Sequence, residues 1–120
     1  MNKPEPTLNG NIVVLEAKKY IGSPYKWGSN GPTSFDCSGF TQYIYNKAVN
    51  IHIPRITYDQ IKLGKPVSIS DLLPGDLIFT LKAEHVGIFV GNGQFIHAPY
   101  SGQKVKISAI FDFYAARRIL

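Results

Sequence analysis

The only cysteine of this 120-residue chain, Cys37, stands inside Phe35-Asp36-Cys37-Ser38-Gly39-Phe40, and two of the three histidines, His85 and His97, lie far downstream. A cysteine sulfur attacks as thiolate, not as thiol. Gly28, Gly31 and Pro32 mark a turning chain ahead of Cys37, and Cys37, Phe40, Thr41, Ile44 and Ala48 then recur at helical spacing. Cys37 is therefore expected in the first turn of a helix. Unpaired backbone N–H groups and the positive end of the helix dipole favour negative charge there. The competing reading is a small apolar side chain that packs the helix onto a core, as free cysteines commonly do.

A nucleophilic thiol needs a base within hydrogen-bond reach, and the base needs a third group to orient it. His85 and His97 flank Gly91-Asn92-Gly93, which reads as a hairpin turn. A two-residue turn at Asn92-Gly93 would pair Gly91 with Gln94 and Ile88 with His97, putting His85 on the other face. A three-residue loop would pair Val90 with Gln94 and Gly87 with His97. The two histidines then share a face one diagonal step apart, roughly 7–8 Å between backbones. Gly93 supplies the left-handed residue that a three-residue loop wants last, so this register is expected. Gly87 would leave room between the rings. Val86, Ile88, Val90, Phe95 in part, Ile96 and Ala98 would form the core on the opposite face.

The roles follow from that pairing. Cys37 is the candidate nucleophile, His85 the general base and later acid, and His97 the group that holds the His85 ring in its working tautomer. The oxyanion site would combine the Cys37 backbone N–H with a side-chain donor, for which Tyr25 is the candidate. His52, between Ile51 and Ile53, reads as a surface residue. A zinc site is the competing use of one cysteine and two histidines, but the spacings match no familiar zinc pattern, and neither metal nor cofactor is expected.

The elements that must position these side chains are legible in outline. Asn11 to Ile21 reads as a first helix, with Val13, Ala17, Tyr20 and Ile21 as its buried stripe and Gly22 as its stop. Asp36 to Val49 is the second helix, and Thr57 to Leu63 a short third one capped by Thr57 and stopped by Gly64. After the turn Pro74-Gly75-Asp76 the pattern changes to strands: Leu77 to Leu81, His85 to Val90, Gln94 to Ala98, Lys104 to Ile107 and Phe113 to Leu120. Helices first and strands later imply an α+β domain with an antiparallel sheet.

An apolar content of 44% with 18% charged residues fits one folded domain, expected over residues 11–120, behind a linker-like lead-in at residues 1–10. That lead-in has no apolar core and is not a secretion signal, and no apolar run is long enough to span a bilayer. The net charge of +5 favours an anionic partner. The basic residues are scattered, and nucleic acid is not the expected one. A monomer is expected, cut from a longer chain that would carry any export signal.

Several motifs in order add a resemblance. Tyr25-Lys26-Trp27-Gly28, the segment around Cys37, Ile53-Pro54-Arg55 with Gln60, Leu73-Pro74-Gly75-Asp76-Leu77, His85-Val86-Gly87-Ile88, Gly91-Asn92-Gly93 and Phe95-Ile96-His97-Ala98-Pro99 follow one another. Together they resemble the NlpC family of papain-like cysteine peptidases, over a span from about Val14 to the C-terminus. The resemblance implies a papain-like fold, with the nucleophile at Cys37, the base at His85, the third polar residue at His97 and the oxyanion tyrosine at Tyr25. It makes Asp36 and Ser38 candidates for binding the substrate peptide, Asp36 through a free amino group or merely as a helix cap. Arg55 would meet a substrate carboxylate or form a structural salt bridge. Ser29 replaces a second glycine often found after Trp-Gly, which is tolerated unless its φ is positive. The implied activity is hydrolysis of peptidoglycan stem peptides at the bond between γ-D-glutamyl and lysine or diaminopimelate, outside the cell or in the wall. An N-acetylmuramoyl-L-alanine amidase, an acyltransferase and a silent wall-binding module are the alternatives on the same scaffold.

Overall fold

Thr7 opens the first helix, α1 (Leu8–Lys18), by accepting the Gly10 N–H on its hydroxyl at 3.0 Å. The structure, a computed structural model, describes residues 5–120. α1 thus begins three residues before the expected Asn11. Of the lead-in, residues 1–4 lie outside the described residues, and residues 8–10 are helical. Val13, Val14 and Ala17 are buried, whereas Ile21 lies beyond the helix and is exposed.

Asp36 caps the second helix, α2 (Cys37–Val49), and Asn50 ends it in the left-handed conformation. The third, α3 (Thr57–Gln60), is shorter than expected and starts from Ile56 with no side-chain cap; Thr57 is instead buried inside it. A four-residue helix takes its stability from packing, not from propensity.

Six antiparallel strands form one sheet in the order β1-β6-β2-β3-β4-β5: β1 (Lys65–Pro66), β2 (Leu77–Thr80), β3 (His85–Gly91), β4 (Gln94–His97), β5 (Lys106–Ala109) and β6 (Phe113–Arg118). Strand β1 was not anticipated, being two residues long and ending on a proline; it is an edge strand, where proline is tolerated. One face of the sheet carries Leu77, Phe79, Val86, Ile88, Ile96 and Ala98 and packs on α1 and α2 through Val13, Phe40, Ile44 and Tyr45. The other face carries a smaller cluster of Ile78, Phe89, Phe95 and Ala116.

The Pro74-Gly75-Asp76 turn ties these layers together. The Tyr45 hydroxyl donates to the Gly75 carbonyl. Buried Asp76 receives Arg118 through Nε at 3.0 Å and Nη2 at 2.8 Å, and its Oδ2 also accepts the Leu73 N–H. A fork-shaped pair of this kind fixes the angle between the two chain segments as well as their distance.

Candidate active site

The first turn of α2 is held from three sides. Asp36 Oδ1 accepts the Gly39 N–H at 2.7 Å, and Oδ2 accepts the Gly28 N–H at 3.0 Å. Arg55 completes the set, with Nη1 on Oδ1 at 3.0 Å and Nη2 on Oδ2 at 2.7 Å, while Nη1 also donates to the Ser38 hydroxyl at 2.9 Å. Asp36 is therefore the helix cap and the partner of Arg55 together. Behind them the fully buried Gln60 donates to the carbonyls of Ser38 and Pro54 and accepts the Thr41 hydroxyl at 2.7 Å. Gly39 is required by closeness: a Cβ there would lie 2.2 Å from the Ser29 carbonyl oxygen. Ser29 itself has no positive φ, and its hydroxyl bonds Ser34 across the loop.

Cys37 thus stands where the sequence places it, but its electrostatics differ from expectation. Burial pushes its thiol up from the ordinary value, and the Asp36 carboxylate next door adds to the rise. The backbone N–H groups of Val86, Ser38 and Cys37 point at the sulfur and pull the other way without winning. A helix start favours thiolate only while the sulfur keeps its water and has no anion beside it. Tyr25 lies within electrostatic reach of Cys37, Asp36 and Arg55, and burial holds its phenol protonated above the usual value, so it remains a hydrogen-bond donor.

The histidines form a direct pair. His85 Nε2 and His97 Nδ1 are 2.8 Å apart, and His97 Nε2 lies 2.7 Å from the hydroxyl of Ser108 on β5. The pairing arises by a variant of the expected turn. Gly91 sits opposite Gln94 across a tight Asn92-Gly93 turn, with φ positive at Gly91, Asn92 and Gly93. A bulge then absorbs one residue, so that Phe89 faces Phe95 and Ile88 faces Ile96. The strand bodies thus keep the register that puts both histidines on one face.

One core assignment changes. Phe95 is on the histidine face, stacked on His97 with ring centroids 4.2 Å apart and edge-on to His85 at 6.0 Å. The space over Gly87 is consequently filled, since a Cβ there would meet Phe95 Cδ2 at 2.5 Å and His97 Cβ at 2.9 Å. Burial lowers His85 to about 4 and His97 to about 3, so both imidazoles are neutral near pH 7.

These two clusters join at the start of β3. The Val86 N–H that points to the Cys37 sulfur belongs to the peptide following His85. The histidines project from the sheet face turned away from α2, so any approach between sulfur and imidazole runs around the strand end and not through the sheet. Two clefts open there. One, of about 640 Å³, is lined by Trp27, Gly28, Asp36, Cys37, Ser38 and Arg55 among others. The second, of about 470 Å³, is lined by His85, His97, Tyr100, Lys106, Ser108 and Phe111 among others. His52 is exposed and lines neither. Among the described residues, no group of three or more His, Cys, Asp or Glu side chains is gathered to hold a metal ion, and no helix is long and apolar enough to cross a membrane.

Residues that the sequence did not single out include Ser108, Phe111 and Trp27. Trp27 is 81% exposed on the wall of the first cleft, and its signal was its place beside Tyr25 in a turn-rich loop. Ser108 carried no signal, because only the β4–β5 register, with Phe95 opposite Ser108, puts it on the histidine face.

A cysteine at a helix start beside an antiparallel sheet that carries paired histidines is a papain-like arrangement. The chain belongs to the NlpC/P60 family, which matches residues 22–120. It is 46% identical to the probable endopeptidase p60 of Listeria monocytogenes over 77% of this chain and 19% of that protein. It is 40% identical to the murein DD-endopeptidase MepH of Escherichia coli over 91% of this chain and 45% of that protein. The crystal structure of the NlpC/p60 domain of the peptidoglycan hydrolase SagA superposes with a TM-score of 0.87 at 41% identity, covering 92% of this chain and 99% of that one. The chain spans less than half the length of the two curated relatives.

Proposed function

We propose that this domain, over residues 11–120, is a cysteine endopeptidase of the bacterial cell wall that cuts peptidoglycan stem peptides. The observation that carries the reading is the histidine pair across β3 and β4, with His85 Nε2 and His97 Nδ1 2.8 Å apart and the backbone N–H that follows His85 turned toward the Cys37 sulfur. The similarity to endopeptidases and a peptidoglycan hydrolase supplies the substrate class. The wall, outside the cell, is then its place of action, and the net charge of +5 suits a matrix rich in anionic polymer.

The mechanism starts from a thiol and a neutral imidazole. As the Cys37 sulfur attacks the peptide carbonyl, its proton passes to Nδ1 of His85, the ring nitrogen not bonded to His97. The carbonyl oxygen takes the negative charge and is held by the Cys37 backbone N–H and the Tyr25 hydroxyl. The C–N bond then breaks, His85 returns the proton to the leaving amine, and a thioester remains on Cys37. Water attacks that carbonyl and gives its proton to His85. The acid product leaves, and the sulfur takes the proton back. His97 holds the His85 ring throughout. Asp36, Ser38 and Arg55 line the larger cleft and bind the peptide, Asp36 near a free amino group and Arg55 near a carboxylate.

The bond between γ-D-glutamyl and the diamino acid is the proposed site of cleavage. The DD-endopeptidase name of the Escherichia coli relative favours a second reading, cleavage between two D-configured centres in a cross-link. Digestion of purified peptidoglycan by wild type and Cys37→Ala, followed by mass spectrometry, separates them. New amines on the diamino acid next to glutamate support the first. Conversion of cross-linked dimers to monomers supports the second. Release of whole stem peptides from muramic acid would replace both with an amidase, and equal activity of the two proteins would end the cysteine mechanism.

A further inference from the structure

The hydrogen-bonded line Ser108–His97–His85 spans three neighbouring strands, β5, β4 and β3, and only its last two members belong to the mechanism above. From this geometry we infer that Ser108 is a positioning residue that holds His97 in its Nε2–H tautomer and so leaves Nδ1 of His85 free to act as the base. This rests on the endopeptidase reading for its rate consequence, but not for its tautomer consequence.

The argument is a proton count. Two neutral imidazoles carry one N–H each, and one hydrogen occupies the 2.8 Å contact between His85 Nε2 and His97 Nδ1. If His97 donates from Nδ1, His85 must accept at Nε2 and carry its own hydrogen on Nδ1, which cannot then receive a proton. If His85 donates from Nε2, its Nδ1 lone pair is free, and His97 carries its hydrogen on Nε2. That hydrogen points at the Ser108 oxygen, 2.7 Å away. Once His85 has been protonated both its nitrogens donate, so the second arrangement is the only one compatible with both states of the cycle. It asks Ser108 to accept in each.

The surroundings leave that task to the serine. Phe95 stacks on His97, and Phe111 lies 6.1 Å from the centroids of both His85 and His97, so the ring faces meet carbon. Besides His85 itself, the charged group acting on His97 is Lys106, a cation that offers no acceptor. Ser108 is half-buried beside the second cleft, so its own hydroxyl hydrogen can turn to solvent while its oxygen faces His97.

The test uses this chain with Ser108→Ala and Ser108→Thr. Nitrogen-15 shifts of the histidine rings report the tautomers with no substrate present. Kinetics on a soluble stem peptide and thermal melting complete the set. We expect wild type to show His97 protonated on Nε2. Ser108→Ala should lower kcat roughly tenfold, a part of the ~10²–10⁴ that acid–base catalysis supplies, with KM and Tm nearly unchanged and a new population of His97 protonated on Nδ1. Ser108→Thr, which keeps the hydroxyl, should restore both rate and tautomer. An Nδ1–H His97 in wild type overturns the inference. So does Ser108→Ala with full kcat, or a loss of kcat that follows Tm and is not rescued by threonine. Failure of the endopeptidase reading would show separately, as undiminished hydrolysis by Cys37→Ala.

Discussion

Val86 turns its backbone N–H toward the sulfur of Cys37, so β3 meets the first turn of α2 one residue after His85. That contact favours thiolate, yet burial and the charge of Asp36 outweigh it. Cys37 therefore rests as a thiol.

Alkylation by iodoacetamide follows the thiolate fraction. Cys37 is therefore expected to react more slowly than free cysteine at neutral pH, with a rate still rising beyond the pH at which free cysteine levels off. A rate that is flat from about pH 5 to 8, as a preformed thiolate would give, would contradict the raised thiol.

Acidification should destabilise the fold through the histidine pair. Their folded values, about 4 and about 3, lie below the ordinary 6.5. Between those values the unfolded chain binds more protons, so stability rises with pH in that window. It is fully present above the unfolded value and is lost as pH falls from about 6.5 through 4 toward 3, on the order of a few kcal/mol for the pair. Urea melts across that range should show the loss, and a His85→Gln/His97→Gln protein should show a shallower one. Identical slopes in the two proteins would assign the acid sensitivity elsewhere.

Asp36 combines a cap with an ion pair, and its two simplest replacements separate them. Asp36→Ala removes the Gly39 and Gly28 acceptors and strands Arg55, and should cost about 2–4 kcal/mol. Asp36→Asn can still accept the Gly39 N–H and should cost less. Both remove the anion that raises the thiol, so Cys37 should alkylate faster at neutral pH in each. Denaturant melts and alkylation rates measure the two effects; an unchanged alkylation rate would show that the carboxylate does not act on the sulfur.

The legible parts of the structure were those fixed by local chemistry. Asp36 reads as a cap and Gly93 as a left-handed residue because each acts within a few residues of its own position. The histidine pairing followed, although the turn itself is two residues long and the bulge beside Gly91 restores the register. The alternation of the sequence puts Phe95 partly on the wrong face, since a strand seen as half-buried hides that both its faces are covered. Neutral thiol and imidazoles could not be read from spacing, because they depend on how much water the tertiary packing removes. Ser108 lies just past the strand expected at Lys104 to Ile107 and depends on how that strand pairs with β4, and Lys65–Pro66 forms a strand only because β6 lies beside it.

The position of β6 has a consequence for biosynthesis. It is made last of the six strands yet lies inside the sheet, between β1 and β2, and its Arg118 closes onto Asp76 across 42 residues. A nascent chain emerging from the ribosome can assemble the hairpin of β3 and β4 early, but the sheet stays split until that final strand slots in. The histidine pair lies on β3 and β4, on the far side of β2, so what waits until nearly all of the domain has been translated is the closing of the sheet's opposite edge by Arg118 and Asp76.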